Sequence, residues 1–395
     1  MTQETAAQVR GFRFASLAAG IKVSGAPDLA LIFSETPAHC AALFTSNRVK
    51  AAPLLVSEPR VKKGFCQAVL VNSGNANACT GEAGLEDARR CARLAAQALN
   101  IDEELVTVSS TGAIGHALPM EKFERHVPQL AKLLSADGAD GFAKAIRTTD
   151  AFVKVARAQG DGYTILGIAK GAGMIHPNMA TMLAYVMTDA NVERGFLDRA
   201  LHHAAEYSFN RISVDGDTST NDTLQVLANG ASGLPEITEG SPLAAAFQER
   251  LTQVCLDLAK MMVKDGEGGT KLVRVQVEGG ATETEALNVA RHVATSTLLK
   301  AAFFGADPNW GRVMAAVGSS GEKVDPDRID VRFEDVTLVR NGQNTGEEAR
   351  EQARAVLQGP EFTVTVDLHR GSSSAYYYMS DLTYDYVKIN AEYHT

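Results

Sequence analysis

Residues 170 to 181 read Lys170-Gly-Ala-Gly-Met-Ile-His-Pro-Asn-Met-Ala-Thr181, and the chain continues Met182-Leu-Ala-Tyr-Val-Met187. A glycine-rich loop, interrupted by Pro177, gives way here to an apolar run of strand type. A threonine stands at the junction, and two readings of it are open. In the plain one, Thr181 merely begins a strand. In the chemical one, its hydroxyl attacks the carbonyl of Ala180, the peptide becomes an ester by an N-to-O shift, and water cuts the ester. The new chain would begin at Thr181, with a hydroxyl and a free α-amine on one residue. That pairing answers a need, because a threonine hydroxyl is a weak nucleophile at neutral pH and requires an adjacent base. An α-amine titrates near about 7.7–8.0, whereas a lysine amine stays mostly protonated up to about 10.4. The glycines let the loop bend toward the hydroxyl, and Pro177 restricts its course.

Working outward, β-type runs alternate with amphipathic helices, which is α/β or α+β organisation. The strand-like runs are Leu29–Ser34, Gln67–Val71, Tyr163–Ala169, Met182–Met187, Thr223–Leu227, Leu272–Val277 and Phe362–Leu368. Helical periodicity marks Leu85–Leu99, Glu193–Ala205, Pro242–Val263 and Glu347–Leu357. Glycines cluster at stretches that read as turns: Asn72-Ser-Gly-Asn75, Thr111-Gly112, Gly171-Ala-Gly173 and Asp265-Gly-Glu-Gly-Gly269. The internal division falls near residue 180, separating 1–180 from 181–395. No polar linker accompanies it, so the halves are expected to pack as one body.

The 395 residues are 45% hydrophobic and 22% charged, enough to bury a core without covalent staples. The net charge is −9 and no basic block occurs, so a nucleic-acid partner is not expected. Met1–Phe14 lacks the apolar centre of a secretory signal, and no run approaches 18 apolar residues, so no membrane partner is expected either. Cys40, Cys66, Cys79, Cys91 and Cys255 are odd in number and widely spaced, which suits reduced thiols in a cytoplasmic enzyme.

Other motifs carry less. Gly171-Ala-Gly173 lacks the third glycine of a dinucleotide fingerprint, and Pro177 interrupts the helix that should follow. Gly266-Glu-Gly-Gly-Thr-Lys271 lacks the Gly-Lys-Ser/Thr order of a P-loop. His176 could serve as a base, but an α-amine at Thr181 already fills that role. His202 and His203, taken with Asp215 and Asp217, suggest a metal; adjacent helical residues face different ways, and a threonine activated by its own α-amine needs no Lewis acid. Neither a metal nor a cofactor is expected.

The decisive stretch is similar to the cleavage and active-site signature of the ornithine acetyltransferases, also called glutamate N-acetyltransferases, the bifunctional arginine-biosynthesis family. The resemblance runs almost the full chain. It includes Asn72-Ser-Gly-Asn-Ala-Asn77, Ser110-Thr-Gly-Ala-Ile-Gly115, Thr148-Thr-Asp150, Asp217-Thr-Ser-Thr-Asn-Asp222, Asp265-Gly-Glu-Gly-Gly-Thr-Lys271, Asp307-Pro-Asn-Trp-Gly-Arg312 and the tail Asp381-Leu-Thr-Tyr384…Asn390-Ala-Glu-Tyr-His-Thr395. Met379-Ser380 departs from the Gly-Cys expected before the tail. The resemblance implies a layered α/β sandwich of the self-cleaving aminopeptidase type, with N-terminal-nucleophile chemistry and a cut at Ala180-Thr181. It implies two chains that stay together, commonly as an α2β2 assembly.

The same resemblance assigns roles. Thr181 is the nucleophile, and Thr111 and Gly112 form the oxyanion hole. Substrate contacts fall on Thr148 or Thr149, with Thr149 favoured, and on Lys170, Glu267, Asn390 and Thr395. The substrates are N2-acetylornithine and glutamate, exchanged in a ping-pong cycle through acetyl-Thr181. Acetyl-CoA is a second donor in some members and not in others, and no residue here separates them. A self-processing aminopeptidase or amidase on the same scaffold is the rival enzyme. A non-catalytic amino-acid-binding protein is the rival of another class, and the intact Ala180-Thr181 step argues against it. Both substrates share an α-carboxylate but end in opposite charges. Lys170 is therefore expected to hold the common carboxylate, with Glu267 and the terminal carboxylate of Thr395 near the ammonium tail. Lys170→Ala should raise KM for both substrates in steady-state assays; an effect on one alone would refute a shared contact.

Overall fold

The computed structural model describes residues 8–176 and 182–392. In chain order its strands begin with β1 Phe12–Leu17, β2 Leu29–Phe44, β3 Phe65–Asn75, β4 Val106–Ala113, β5 Lys154–Gln159, β6 Thr164–Lys170 and β7 Leu183–Thr188. They continue with β8 Ile212–Ser213, β9 Thr223–Ala228, β10 Leu272–Gly280, β11 Asp330–Phe333, β12 Val336–Arg340, β13 Gln343–Asn344, β14 Glu361–Asp367 and β15 Ser373–Ser380.

The first sheet runs in the order β4-β3-β2-β9-β7-β6-β5, with β1 added to β2. Its character comes from β2. Leu29–Phe33 pair antiparallel with β3, while His39–Phe44 pair with β9, and the register shifts between Phe33 and Ala38. An irregularity of this kind bends a strand, and the bend lays one half of the sheet over the other. Ile32, Val69 and Val71 of the first half share a cluster with Leu166, Ile168, Leu183, Tyr185 and Met187 of the second. Thr107 Oγ1 of β4 also donates to Gln225 Oε1 of β9 at 3.1 Å.

Alternation sends the intervening residues outward. Leu31, Leu70 and Val108 pack with the helices Gly81–Leu99 and Met120–Lys132. Ile165, Ala184, Val186, Leu224 and Val226 pack with Arg194–Glu206 and Ala244–Lys264. The product is a helix–sheet–sheet–helix sandwich. The Gly81–Leu99 helix buries Ala88, Cys91, Ala92 and Ala95, one helical face of small residues, and ends at Asn100 in the left-handed conformation.

The second sheet runs β13-β12-β11-β14-β10-β15-β8. It has its own core, in which Val273, Val275, Val277, Val364 and Val366 meet Ala286, Val289 and Val293 of the helix Glu283–Ala294. Leu272 and Tyr378 join the first core beside the helix Ala244–Lys264, so the two units share a packed boundary.

Each expected element has a counterpart; most ends move by one to four residues, Glu347–Leu357 agrees at both ends, and Leu29–Ser34 is only the start of β2, which runs on to Phe44. Two expectations need correction. Asn72–Asn75 and Thr111-Gly112 are not turns but the ends of β3 and β4, which pair in parallel with Ser73 opposite Thr111 and Gly74 opposite Gly112. Their polar side chains show no period-2 apolar signal, so pairing rather than pattern makes them strands. The decisive stretch joins two antiparallel neighbours, with Lys170 of β6 opposite Leu183 of β7. Among the described residues no helix is long and apolar enough to cross a membrane.

Phe142 lies between the two sheet halves, in edge contact with Phe14 at 6.2 Å and Tyr185 at 5.7 Å. Phe142→Ala should cost about 3–5 kcal/mol, read as a lowered urea midpoint. An unchanged midpoint would show that this interlayer contact does not hold the halves together.

Candidate active site

The bend in β2 brings the end of β4, the end of β6 and the starts of β7 and β9 to one place. A cavity of about 170 Å³ opens there, smaller than the roughly 300–1,000 Å³ of drug-sized pockets and suited to an amino-acid-sized ligand. Thr111, Gly112, Thr148, Thr149, Lys170, Glu267 and Asn390 all line it. Ala180, Thr181 and Thr395 lie outside the described residues. The segment that carries the proposed cut leaves β6 at Lys170 and enters β7 past Met182, whose N–H donates to Asp222 at 2.9 Å.

The corner at Thr111 and Gly112 is built on backbone. Gly112 has φ +132°, and a Cβ there would lie 2.4 Å from the carbonyl carbon of Gly74. Only glycine permits this pairing of β3 against β4. Ser110 Oγ donates to Asn72 Oδ1 at 2.6 Å, and Asn221 Nδ2 donates to the carbonyls of Ser110 and Ala76 at 2.8 and 2.7 Å. These bonds tie the strand end in place before any substrate arrives. Thr111 is buried and is among the residues lining the cavity.

Lys170 lies at the floor, 2% exposed. Its Nζ donates to Thr111 Oγ1 at 3.1 Å and to Thr148 Oγ1 at 2.9 Å. An ammonium has three N–H donors, so one has no partner among the described residues. Burial pulls the Lys170 pKa down, and the negative charge of Asp150 opposes that pull. Asp150 accepts from Lys154 Nζ at 2.7 Å, from the Gly171 N–H at 2.6 Å and from the Thr148 N–H at 3.0 Å. Burial alone would raise the Asp150 pKa, but the charges of Lys170 and Lys154 and the Gly171 N–H hold it below the usual carboxylate range. Lys154 is fully buried and bridges Asp150 to Asp265. A line of alternating charges thus runs beneath the pocket from Asp265 to Lys170.

The opposite wall comes from the second half of the chain. The Glu267 N–H donates to Ala172 O at 2.9 Å, and its carboxylate accepts from Asn390 Nδ2 at 2.9 Å. Asn390 belongs to the helix Tyr384–Glu392, anchored where Thr383 Oγ1 donates to Gly268 O at 2.6 Å. The cavity therefore has a cation at its floor and a carboxylate with an amide at its rim.

His176 is half-buried, with Nδ1 3.4 Å from Ser213 Oγ, and burial lowers its pKa. His202 is exposed and lies 3.9 Å from Asp198. Asp215 accepts the Met174 and Ile175 N–H groups at 2.6 and 2.8 Å, so it holds the loop leading away from Gly173. Sequence reasoning assigned no role to Asp150, Lys154 or Asp222. Asp222 is completely buried, and burial pushes its carboxyl well above the usual range. The motifs around Asp150 and Asp222 were visible; nothing marked Lys154, whose surroundings come entirely from tertiary packing.

The layered sandwich carries a buried threonine–lysine pocket at its strand ends, the architecture of a small-molecule enzyme site. The family model of the ArgJ family matches residues 13–395, and the chain belongs to that family. It is 59% identical to the arginine biosynthesis bifunctional protein ArgJ of Syntrophotalea carbinolica, over 98% of this chain and 100% of that protein. The protein of the same name from Geobacter sulfurreducens is 54% identical over the same shares. A crystal structure of arginine biosynthesis bifunctional protein ArgJ from Bacillus halodurans aligns with TM-score 0.52 and 42% identity, covering 53% of this chain and 98% of that one.

Gly112→Ala places a methyl group against Gly74 and requires a rare φ. Acetyl transfer should fall by about 10²-fold or more, the scale of a lost oxyanion donor, in a turnover assay. A variant that folds and retains full turnover would remove Gly112 from the oxyanion role.

Proposed function

We propose that this chain cuts itself between Ala180 and Thr181 and then carries an acetyl group on Thr181 from N2-acetylornithine to glutamate. The observation that carries the reading is the convergence of Thr111, Gly112, Lys170, Glu267 and Asn390 on one amino-acid-sized cavity beside the β6–β7 connection. Membership of an arginine-biosynthesis family supports the substrates.

The Thr181 α-amine takes the proton of its own hydroxyl, and the oxygen attacks the acetyl carbonyl. The tetrahedral oxygen receives the Thr111 hydroxyl and the Gly112 N–H. As the carbon–nitrogen bond breaks, the α-ammonium returns the proton to the departing ornithine amine. The glutamate amine then attacks the acetyl ester, and the same groups act in reverse. An amide is exchanged for an amide, so no energy source is needed. Glutamate must reach the ester before water does, which favours a small, closed pocket. The free N–H of Lys170 meets the α-carboxylate common to both substrates. Glu267 faces the ammonium end of ornithine, assisted by the terminal carboxylate of Thr395. The Asn390 amide, both donor and acceptor, suits either tail.

The cut leaves chains 1–180 and 181–395. They would remain joined because β6 pairs with β7 and β2 with β9 across the division. The solved Bacillus halodurans chain, about half the length of this one, supports such a division. Two such pairs would form an α2β2 assembly. The word bifunctional in the relatives' names supports a second donor, acetyl-CoA.

The expected outcome is two bands on a denaturing gel for the native protein and one band for Thr181→Ala, which should also transfer no acetyl group. N-acetylglutamate should form from glutamate with N2-acetylornithine, and with acetyl-CoA. Ornithine release at full rate without glutamate would instead identify a hydrolase. An unbroken, fully active chain would overturn the reading.

A further inference from the structure

We propose that Asp150 is a positioning residue for acetyl transfer: it keeps the Lys170 ammonium charged, so that the Thr111 hydroxyl accepts from Lys170 and turns its own proton toward the acetyl oxygen. The proposal rests on the reading of Thr111 as an oxyanion donor.

A hydroxyl has one proton to give and lone pairs with which to accept. Lys170 Nζ stands 3.1 Å from Thr111 Oγ1. A charged ammonium can only donate, so Thr111 must accept from it, and its proton is left to point into the cavity it borders. Among the described residues no other acceptor bonds this hydroxyl. A neutral amine has a lone pair. The Thr111 proton could then turn back to it, and the oxyanion would lose a donor. The direction of the Thr111 O–H bond is thus set by the charge on Lys170.

That charge is opposed by burial, since removing an ammonium from water favours its neutral form. The charges that act on Lys170 are those of Asp150, Lys154, Glu267 and Asp222, and Lys170 and Lys22 repel one another. Lys154 and Lys22 oppose the charge. Asp222 gives little help, because its own carboxyl is pushed up by burial. Glu267 is only half-buried and is shared with Asn390. Asp150 is buried, held ionised by its partners, and grips the turn that also bonds Lys170. It accepts the Thr148 N–H, while Lys170 donates to the Thr148 hydroxyl. It is the group placed to keep the ammonium charged.

Removing the negative charge of Asp150 lowers the Lys170 pKa, so activity is lost at lower pH on the alkaline side. Removing the positive charge of Lys154 does the reverse. The test follows the burst of ornithine released from saturating N2-acetylornithine without glutamate, so that the acceptor amine does not titrate. The wild-type burst should show an alkaline limb. In Asp150→Asn this limb should move down by about one pH unit or more, and in Lys154→Met it should move up. A merely structural role changes stability or rate without opposite displacements. Thr111→Val should slow the burst about 10²-fold and abolish the limb, because no hydroxyl remains to be turned. Where a variant is not cut, the same comparison is made on its rate of self-cleavage.

Should Asp150→Asn fail to fold, Lys154→Met and Thr111→Val decide by the same criteria. A wild-type burst without an alkaline limb, limbs that stay fixed or move together, or a limb that survives in Thr111→Val, would each overturn the proposal. A Thr111→Val burst at full rate would instead overturn the underlying oxyanion reading.

Discussion

A lysine ammonium almost out of contact with water is the constraint around which this site is arranged. Lys170 is only tolerable as a cation if charge and hydrogen bonds replace the lost solvent, and taking an ion from water costs several kcal/mol. The sequence meets that need in layers. Thr111 and Thr148 accept directly, Asp150 supplies opposite charge, and Lys154 bridges Asp150 to Asp265. Buried ion networks are poor sources of stability. Under the proposed acetyl transfer, this one fixes polarity and geometry next to the reacting carbonyl.

The fold exists to bring that network to the right place. Thr111 and Lys170 are separated by 59 positions and lie on strands that are not neighbours in the sheet. They meet because the long strand Leu29–Phe44 bends and closes the sheet on itself. The side chains that drive this are ordinary valines, leucines and aromatics between the two layers. The polar ends of the same strands are then left facing one another with little freedom. The site therefore inherits its rigidity from a core that takes no part in the chemistry.

Much of this was legible in the residues. The glycine-rich loop before an apolar strand and the nucleophile candidate were read from the residues, whereas the pocket residues Thr111, Gly112, Lys170, Glu267 and Asn390 came from the family resemblance. The described ones line one cavity. The strand state of Asn72–Asn75 and of Thr111-Gly112 was not legible, because two polar segments make a ladder only when each supplies the other's backbone partners. Nor was Lys154, whose sequence neighbours Phe152 and Val153 suggest nothing ionic. Its meaning depends on Asp265, more than a hundred residues away. Local pattern reports periodicity and turn chemistry; it does not report which distant charges a fold will bury together.

The pairing of β6 with β7 has a consequence for the life of the molecule under the proposed cut. Those strands begin as neighbours on one polypeptide, where closing the ladder is an intramolecular event with a high effective concentration. Once the connection opens, the same ladder joins two separate polymers. Assembly thus has to come before scission, and the order is not reversible. An intact precursor can find its shape alone at any dilution, whereas the mature halves, once pulled apart, would have to meet again by diffusion. Such a protein matures in one direction, and its durability afterwards is a matter of how slowly it comes apart.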